Sequence, residues 1–155
     1  MIHRITVPEE VRSLDLLDRV DYADAFEART SDSRTPREWG DHIIERACPR
    51  VLAVVRSLHG RVGQMRLAAP GPEYPLGWQI LEETSSRFVM GTEDGIVTPR
   101  VVILTPPGRV VFSTVLRYET HSARSIWFVG RHVHRAVARY LVAGAVRPVR
   151  SRGKC

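Results

Sequence analysis

The spacing of apolar residues changes along the chain and divides it into segments of different secondary structure. Residues 20–29 alternate in polarity, which predicts a first β-strand. One face of this strand would carry Val20, Tyr22, Asp24, Phe26 and Ala28. Residues 35–62 repeat with a period of three to four, residues 78–119 alternate again, and residues 122–146 return to the helical period. We therefore expect a strand, a helix pair, a strand meander and one long helix.

The helix pair has clear start signals. Thr35, Pro36 and Glu38 form a capping box with proline at the first helical position. The first apolar stripe that follows is Trp39, Ile43, Ile44 and Ala47. Pro49 ends the first helix and begins the second. The stripe of the second helix is Val51, Leu52, Val55, Leu58 and Val62.

The meander is predicted to contain about four strands with one buried face and one solvated face. Turns are expected at residues 84–86 and at the Pro-Pro-Gly sequence 106–108. The buried face of the last strand would carry Val110, Phe112, Thr114, Leu116 and Tyr118. Residues 1–18 have only scattered apolar anchors and are expected to pack along the sheet edge.

The last helix is predicted to begin at the N-cap Ser122 and to end near Val146, before Pro148. Its apolar stripe would be Ile126, Val129, Gly130, Val133, Val137, Tyr140, Leu141 and Gly144. Segregated strands and helices indicate an α+β domain over residues 1–146, followed by a basic, disordered tail over 147–155. A helix of about 25 residues spans roughly 37 Å, so a curved sheet must wrap around it in a helix-grip architecture.

Charge and cysteine content exclude several classes of function. The net charge is +6, yet Lys154 is the only lysine among the 23 basic residues, which argues against a specific nucleic-acid surface. Cys48 and Cys155 form neither a disulfide framework nor a metal motif. The sequence Met-Ile-His-Arg at the start has no apolar signal region, and Arg131, Arg135 and Arg139 interrupt the longest apolar stretch. We therefore expect a cytoplasmic protein without a transmembrane segment.

The element order is similar to that of the START-like, or SRPBCC, superfamily, and closest to bacterial SRPBCC-like proteins known as domains of unknown function. The resemblance rests on DYADAF (21–26), TPREWGDHIIE (35–45), WQILEETSSRFVMGTEDG (78–95) and the final helix with Ser125-Ile126-Trp127 and His134-Arg135. It covers roughly residues 18–145. A His-Leu-Asp-type run of the family is replaced here by residues 95–99, which lowers the expectation of catalysis.

The resemblance implies a cavity between sheet and helix that binds a small hydrophobic molecule such as a lipid, a polyketide or a sterol-like compound. The candidate lining residues are Trp78, Phe88, Met90, Phe112, Tyr118, Trp127, His134 and Tyr140. Each of them could equally be an ordinary core residue. No nucleotide-binding, metal-binding or nucleophile motif is present, so no cofactor and no metal are expected. A homodimer is left open.

Two alternatives compete with a non-catalytic binding role, which the sequence favours over an enzyme. A cyclase, dehydratase or isomerase would use His134 as general acid or base, assisted by Asp24 or Tyr118. An interaction protein would use the arginine-rich helix face and the basic tail.

Two groups of charged residues have structural interpretations beside functional ones. Asp24 needs a partner if it is buried, and Arg100 or Arg117 across the sheet could supply it. Glu82, Glu83, Glu93 and Asp94 could do acid–base work but are expected to be solvated. His132 and His134 are two residues apart on a helix and cannot chelate one metal.

Overall fold

The structure is a computed structural model and describes residues 1–147. Its strands are β1 (Ile2–Ile5), β2 (Tyr22–Arg29), β3 (Gln79–Glu83), β4 (Arg87–Gly91), β5 (Val97–Leu104) and β6 (Arg109–Tyr118). Its helices are α1 (Glu9–Arg12), α2 (Pro36–Arg46), α3 (Pro49–Arg61) and α4 (His121–Val146), with a 3-10 turn at Pro75–Gly77. The predicted α+β class with an antiparallel sheet and a long C-terminal helix is confirmed. Apart from Arg147, the predicted tail lies outside the described residues.

All six strands form one antiparallel sheet in the order β1-β2-β6-β5-β4-β3. Strands β3 to β6 form the predicted meander, and β2 is added beside β6. Asp24 of β2 lies opposite Thr114 of β6, and Phe26 lies opposite Phe112. Residues opposite each other share a face of the sheet. This register therefore places a carboxylate and a hydroxyl on the same face as two core aromatic residues.

The prediction of one solvated sheet face is wrong. Every residue of β5 is buried, because its sequence VTPRVVIL has almost no polar alternation. A second hydrophobic cluster covers the face away from the large helices, where Val11 and Leu17 pack with Ala25, Val89, Val102, Leu104, Val111 and Val115. The N-terminal segment supplies this cover as well as the edge strand β1. The prediction that residues 1–18 lie along the sheet edge is thus only half right.

The helix pair begins as predicted. The Thr35 hydroxyl accepts a hydrogen bond from the Glu38 amide at 3.2 Å, and the Glu38 carboxylate accepts one from the Thr35 amide at 2.8 Å. Helix α2 packs directly on the sheet at Gly40. The approach is so close that a Cβ atom added at Gly40 would come within 2.9 Å of the Phe88 ring. Helix α3 is more loosely attached, since Val55 is its only buried residue.

Helix α4 differs from its prediction at two points. Its N-cap is Thr120, whose hydroxyl accepts from the Ala123 amide at 3.2 Å, so Ser122 is already inside the helix. The predicted stripe is also rotated. The buried residues are Ala123, Ala138, Leu141, Val142 and Ala145, whereas Ile126, Val129, Val133 and Tyr140 are exposed. Small alanine side chains let this helix approach its neighbours closely, and the larger apolar residues lie on an adjacent stripe.

Candidate functional site

A cavity of about 100 Å³ lies between the sheet and helices α2, α3 and α4. We call it the inner cavity. Its sheet wall includes Met90, Val101, Phe112 and Leu116. Its helix wall includes Ile43, Val55, Trp127, Val137 and Leu141. The surface is predominantly apolar, so the cavity suits a hydrophobic occupant.

A second space of about 200 Å³ lies between α3 and α4, and we call it the outer groove. Leu58 of α3 and the C-cap residue Val62 lie on one wall, and Ile126 and Val133 lie on the α4 wall. The outer groove and the inner cavity share several wall residues, which are Val55, His59, Met65, Val97, Trp127, His134 and Val137. Two histidines and a tryptophan therefore lie at the boundary between the two spaces.

Four polar atoms on residues of the inner cavity are buried without a hydrogen-bond partner among the described residues. They are Thr114 Oγ1, Trp78 Nε1, Trp127 Nε1 and His59 Nδ1. Buried polar atoms are normally hydrogen-bonded, and each unsatisfied one costs about 1–3 kcal/mol. Four of the seven such atoms found among the described residues thus belong to residues that line this one cavity.

A hydrogen-bonded cluster joins β2 to α4 beside the inner cavity. The Asp24 carboxylate accepts from the Tyr22 hydroxyl at 2.5 Å and pairs with His134 Nε2 at 3.3 Å. The Arg135 Nε atom donates to the Tyr22 hydroxyl at 3.0 Å and lies 3.8 Å from the Asp24 carboxylate. The Trp127 ring packs edge-on against Tyr22 at 5.2 Å and lies 5.3 Å from the His134 ring. Both oxygens of the buried Asp24 carboxylate are thus satisfied.

The electrostatics of this cluster favour an ionised Asp24. Burial by itself would raise the pKa of Asp24, but the hydrogen bond and charge of His134, the Tyr22 hydroxyl and the charge of Arg135 hold it below its ordinary value. Burial and the neighbouring Asp24 charge raise the pKa of Tyr22 to about 12. The Tyr22 hydroxyl therefore stays protonated at neutral pH and donates a hydrogen bond to the Asp24 carboxylate.

His59 faces a different environment. Burial, together with the nearby His134 and Arg56, lowers the pKa of His59 to about 4. Its ring lies 5.2 Å from the Trp78 ring. His59 is therefore neutral at physiological pH, and it contributes hydrogen-bonding atoms but no charge to the boundary between the inner cavity and the outer groove.

Five of the eight predicted lining residues line the inner cavity, and three do not. Those that line the inner cavity are Trp78, Met90, Phe112, Trp127 and His134. Phe88 is fully buried beneath α2, and Tyr118 packs against the core without lining this cavity. Tyr140 is exposed, and its hydroxyl accepts from the Cys48 amide at 3.1 Å. Phe88, Tyr118 and Tyr140 thus have packing and hydrogen-bonding positions outside the cavity.

Asp24 does lie on the buried face, but its predicted partners were wrong. Arg100 pairs with Glu93, and Arg117 pairs with Asp18 and Glu119. The partners of Asp24 are Tyr22 on the same strand and, on α4, His134 and Arg135, which lie 110 or more residues away in sequence. The sheet register explains the error: Arg100 lies opposite Val115, and Arg117 lies opposite Thr98. Both arginines are therefore on the other face of the sheet from Asp24 and its neighbour Thr114.

The carboxylates of the central hairpin do not form an acid–base pair. Glu82 pairs with Arg87, Glu83 pairs with Arg37, and Glu93 pairs with Arg100. Each thus has its own arginine. Tyr22, His59 and Arg135 were not predicted as parts of the site. Only the spacing of Tyr22 and Asp24, two residues apart on one strand, could have indicated that their side chains meet.

Comparisons with known proteins add little to this geometry. No protein-family model matches the chain, and a search of curated proteins found no match. One solved structure, a Pseudomonas aeruginosa protein of unknown function described as a candidate regulator, is 12% identical with a TM-score of 0.26. That match covers 97% of this chain and 85% of the other. At this score the likeness carries no argument about fold or function.

None of the helices within residues 1–147 is long and apolar enough to cross a membrane.

Proposed function

We propose that the protein binds a small hydrophobic molecule carrying at least one polar group, in the inner cavity and the outer groove of a helix-grip fold, without catalysing a reaction. The observation that carries this proposal is the set of four unsatisfied polar atoms around a largely apolar cavity. Apolar walls supply affinity, at about 25 cal/mol per Å² of buried surface. The polar atoms fix the orientation of the bound molecule.

The size of the two spaces restricts the ligand. The inner cavity, at about 100 Å³, is somewhat smaller than an apolar cavity of roughly 150 Å³ that binds benzene. A lipid or polyketide therefore needs the outer groove as well, which adds about 200 Å³. A ligand extending through both spaces would pass His59, Trp127 and His134 at their boundary. We expect its polar group at that position.

The proposal is tested by native mass spectrometry of the purified protein and by a thermal-shift screen of fatty acids, aromatic polyketides and sterols. Val137 lines both spaces, so Val137→Phe should fill the passage and lower affinity for any hit. Ala136 is exposed on the same helix and lines neither space, which makes Ala136→Phe the matched control. Equal affinity in the two variants, or no hit from the screen, would contradict the proposal.

A second candidate function is an isomerase-type or cyclase-type enzyme, and the contact between Asp24 and His134 favours it. An ionised Asp24 orients the imidazole through Nε2, which leaves Nδ1 as the acceptor of a substrate proton. In this function Asp24 would be the assisting group, since it contacts His134 and Tyr118 does not line the inner cavity. In this function His134 would remove a proton from a bound carbonyl compound.

The two candidate functions differ in what happens to a bound ligand. Incubation of the protein with a ligand found in the screen, followed by mass analysis and ¹H NMR in D₂O, distinguishes them. Binding without proton exchange or rearrangement supports the carrier. Turnover that is lost in His134→Gln, but kept in the Ala136→Phe control, supports the enzyme.

A further inference from the structure

Helices α3 and α4 present exposed aliphatic side chains on both sides of the outer groove. On α3 and its C-cap these are Val54, Leu58 and Val62, and on α4 they are Ile126, Val129 and Val133. We call this set the α3–α4 face. Exposure runs from 40% at Leu58 and Ile126 to 68% at Val129. Leu58, Val62, Ile126 and Val133 line the outer groove, and Val54 and Val129 lie on its two helices outside the groove lining. Single exposed aliphatic residues need no explanation, but six of them on two neighbouring helices do.

The charged side chains of the two helices themselves have one sign. The sequences of α3 and α4 contain no aspartate and no glutamate over their 13 and 26 residues. Arg50 and Arg61 of α3 lie one turn from Val54 and Leu58 respectively. Both arginines are exposed, and within residues 1–147 neither takes part in an ion pair.

Several arginines of the sheet and of α2 are held by carboxylates. Arg37, Arg109 and Arg117 each pair with at least one of them. Arg50 and Arg61 have no carboxylate partner within residues 1–147 and lie beside exposed aliphatic side chains of α3. Aliphatic residues on an exposed helix surface, flanked by arginines and without acidic residues, are the pattern of helices that lie in the interface of an anionic bilayer.

We propose that the α3–α4 face docks on an anionic membrane surface. Val54 and Val129 enter the headgroup region, and Arg50 and Arg61 contact lipid phosphates. The outer groove opens between the two helices on this same face. If the protein also binds a hydrophobic molecule as proposed above, that molecule can move between the bilayer and the inner cavity without crossing water. The docking itself does not depend on that function.

Co-sedimentation of the full chain with vesicles tests the proposal. Vesicles of phosphatidylcholine alone are compared with vesicles of phosphatidylcholine and phosphatidylglycerol at low and high salt. The test variant is the double substitution Val54→Glu and Val129→Glu, at two well-exposed positions. The control is Val20→Glu, because Val20 is also an exposed valine, at 54%, in the segment before β2. Circular dichroism establishes that both variants fold.

We expect binding to the anionic vesicles only, weakened by salt, and lowered at least about tenfold by the double substitution but less than twofold by Val20→Glu. The basic tail is present in every variant, so equal binding by the test and control variants would assign the attraction to the tail and overturn the proposal. Failure of the wild type to bind anionic vesicles would overturn it as well. A dimer that the double substitution converts to a monomer would make the α3–α4 face a contact between two copies instead.

Discussion

His134 of α4 and Asp24 of β2 lie 110 residues apart in sequence, and His134 Nε2 lies 3.3 Å from an Asp24 carboxylate oxygen. This contact fixes the long helix to the second strand of the sheet at the edge of the inner cavity. The contact uses Nε2 of His134, and the His134 side chain lines both the inner cavity and the outer groove. Structural stability and the geometry of the site therefore depend on the same pair.

Asp24→Ala should be strongly destabilising. The carboxylate is fully buried, and its removal leaves the Tyr22 hydroxyl and His134 without their acceptor and Arg135 without its counter-charge. Loss of one partner from a buried charged pair costs about 3–5 kcal/mol. Urea denaturation at pH 7 measures the free energy of unfolding. Asp18→Asn, which removes an exposed partner of Arg117, is the control and should change that free energy little.

Acid should destabilise the protein through His59. The pKa of His59 is about 4 in the folded protein, below the ordinary histidine value, so the unfolded chain binds the proton more readily. The contribution of neutral His59 is fully present above pH 6.5, falls as the pH drops toward 4, and changes no further below that. At still lower pH the protein loses further stability, because Asp24 becomes protonated as the pH falls through its own lowered pKa.

His59→Gln isolates the first of these two effects. The shift corresponds to about 3 kcal/mol between pH 7 and pH 4 in the wild type. Urea denaturation of wild type and His59→Gln at pH 7.0, 5.5 and 4.5 should show a wild-type curve that falls more steeply. Parallel curves would mean that His59 titrates at its ordinary pKa and is not excluded from solvent.

The order of elements could be predicted from the sequence, because local signals determine them. Thr35, Pro36 and Pro49 mark helix boundaries through backbone chemistry that needs no distant partner. The orientation of α4 about its axis could not be predicted in the same way. Its large residues, such as Val129 and Val133, suggested the buried side, whereas the contact with the sheet depends on small residues such as Ala138. Which stripe is buried is decided by fit to another surface, and periodicity does not contain that information.

The candidate site shows the same limit. Asp24 was identified as a buried carboxylate from the alternation of β2, and His134 from its place on the last helix. Their contact needed the packing of α4 across β2, which only the tertiary structure supplies. His59 gave no signal at all, because α3 is mostly exposed and a histidine near its end is unremarkable in sequence. The groups that meet at the boundary of the inner cavity come from four separate elements or loops.

The observed N-cap of α4 can be checked with two substitutions. Thr120→Ala removes the hydroxyl that accepts from the Ala123 amide and should lower the free energy of unfolding by about 1 kcal/mol. Ser122→Ala changes a residue inside the first turn and should have a much smaller effect. Urea denaturation of both variants distinguishes the two positions. A larger loss in Ser122→Ala would restore Ser122 as the cap.

Substitutions at Thr114 and Ser113 of β6 distinguish an effect on ligand binding from an effect on protein stability. Thr114 and Ser113 both carry a buried hydroxyl without a hydrogen-bond partner in the described part of the chain, but only Thr114 lines the inner cavity. Thr114→Val keeps the shape of the side chain and removes the unsatisfied oxygen, so it should stabilise the unliganded protein by about 1 kcal/mol. Ser113→Ala should do the same to a similar degree, since its hydroxyl is equally unsatisfied.

The two β6 variants should then differ in ligand affinity. If the Thr114 hydroxyl contacts the polar group of a bound molecule, Thr114→Val loses about 1–1.5 kcal/mol of binding free energy, roughly a tenfold rise in Kd. Ser113→Ala lies on the opposite face of the strand and should bind as the wild type does. Isothermal titration with a ligand from the screen measures both. If Thr114→Val is more stable and binds the ligand equally well, the Thr114 hydroxyl has no hydrogen-bond partner in the complex either. The polar group of the ligand would then have to be held by the nitrogens of Trp78, Trp127 and His59.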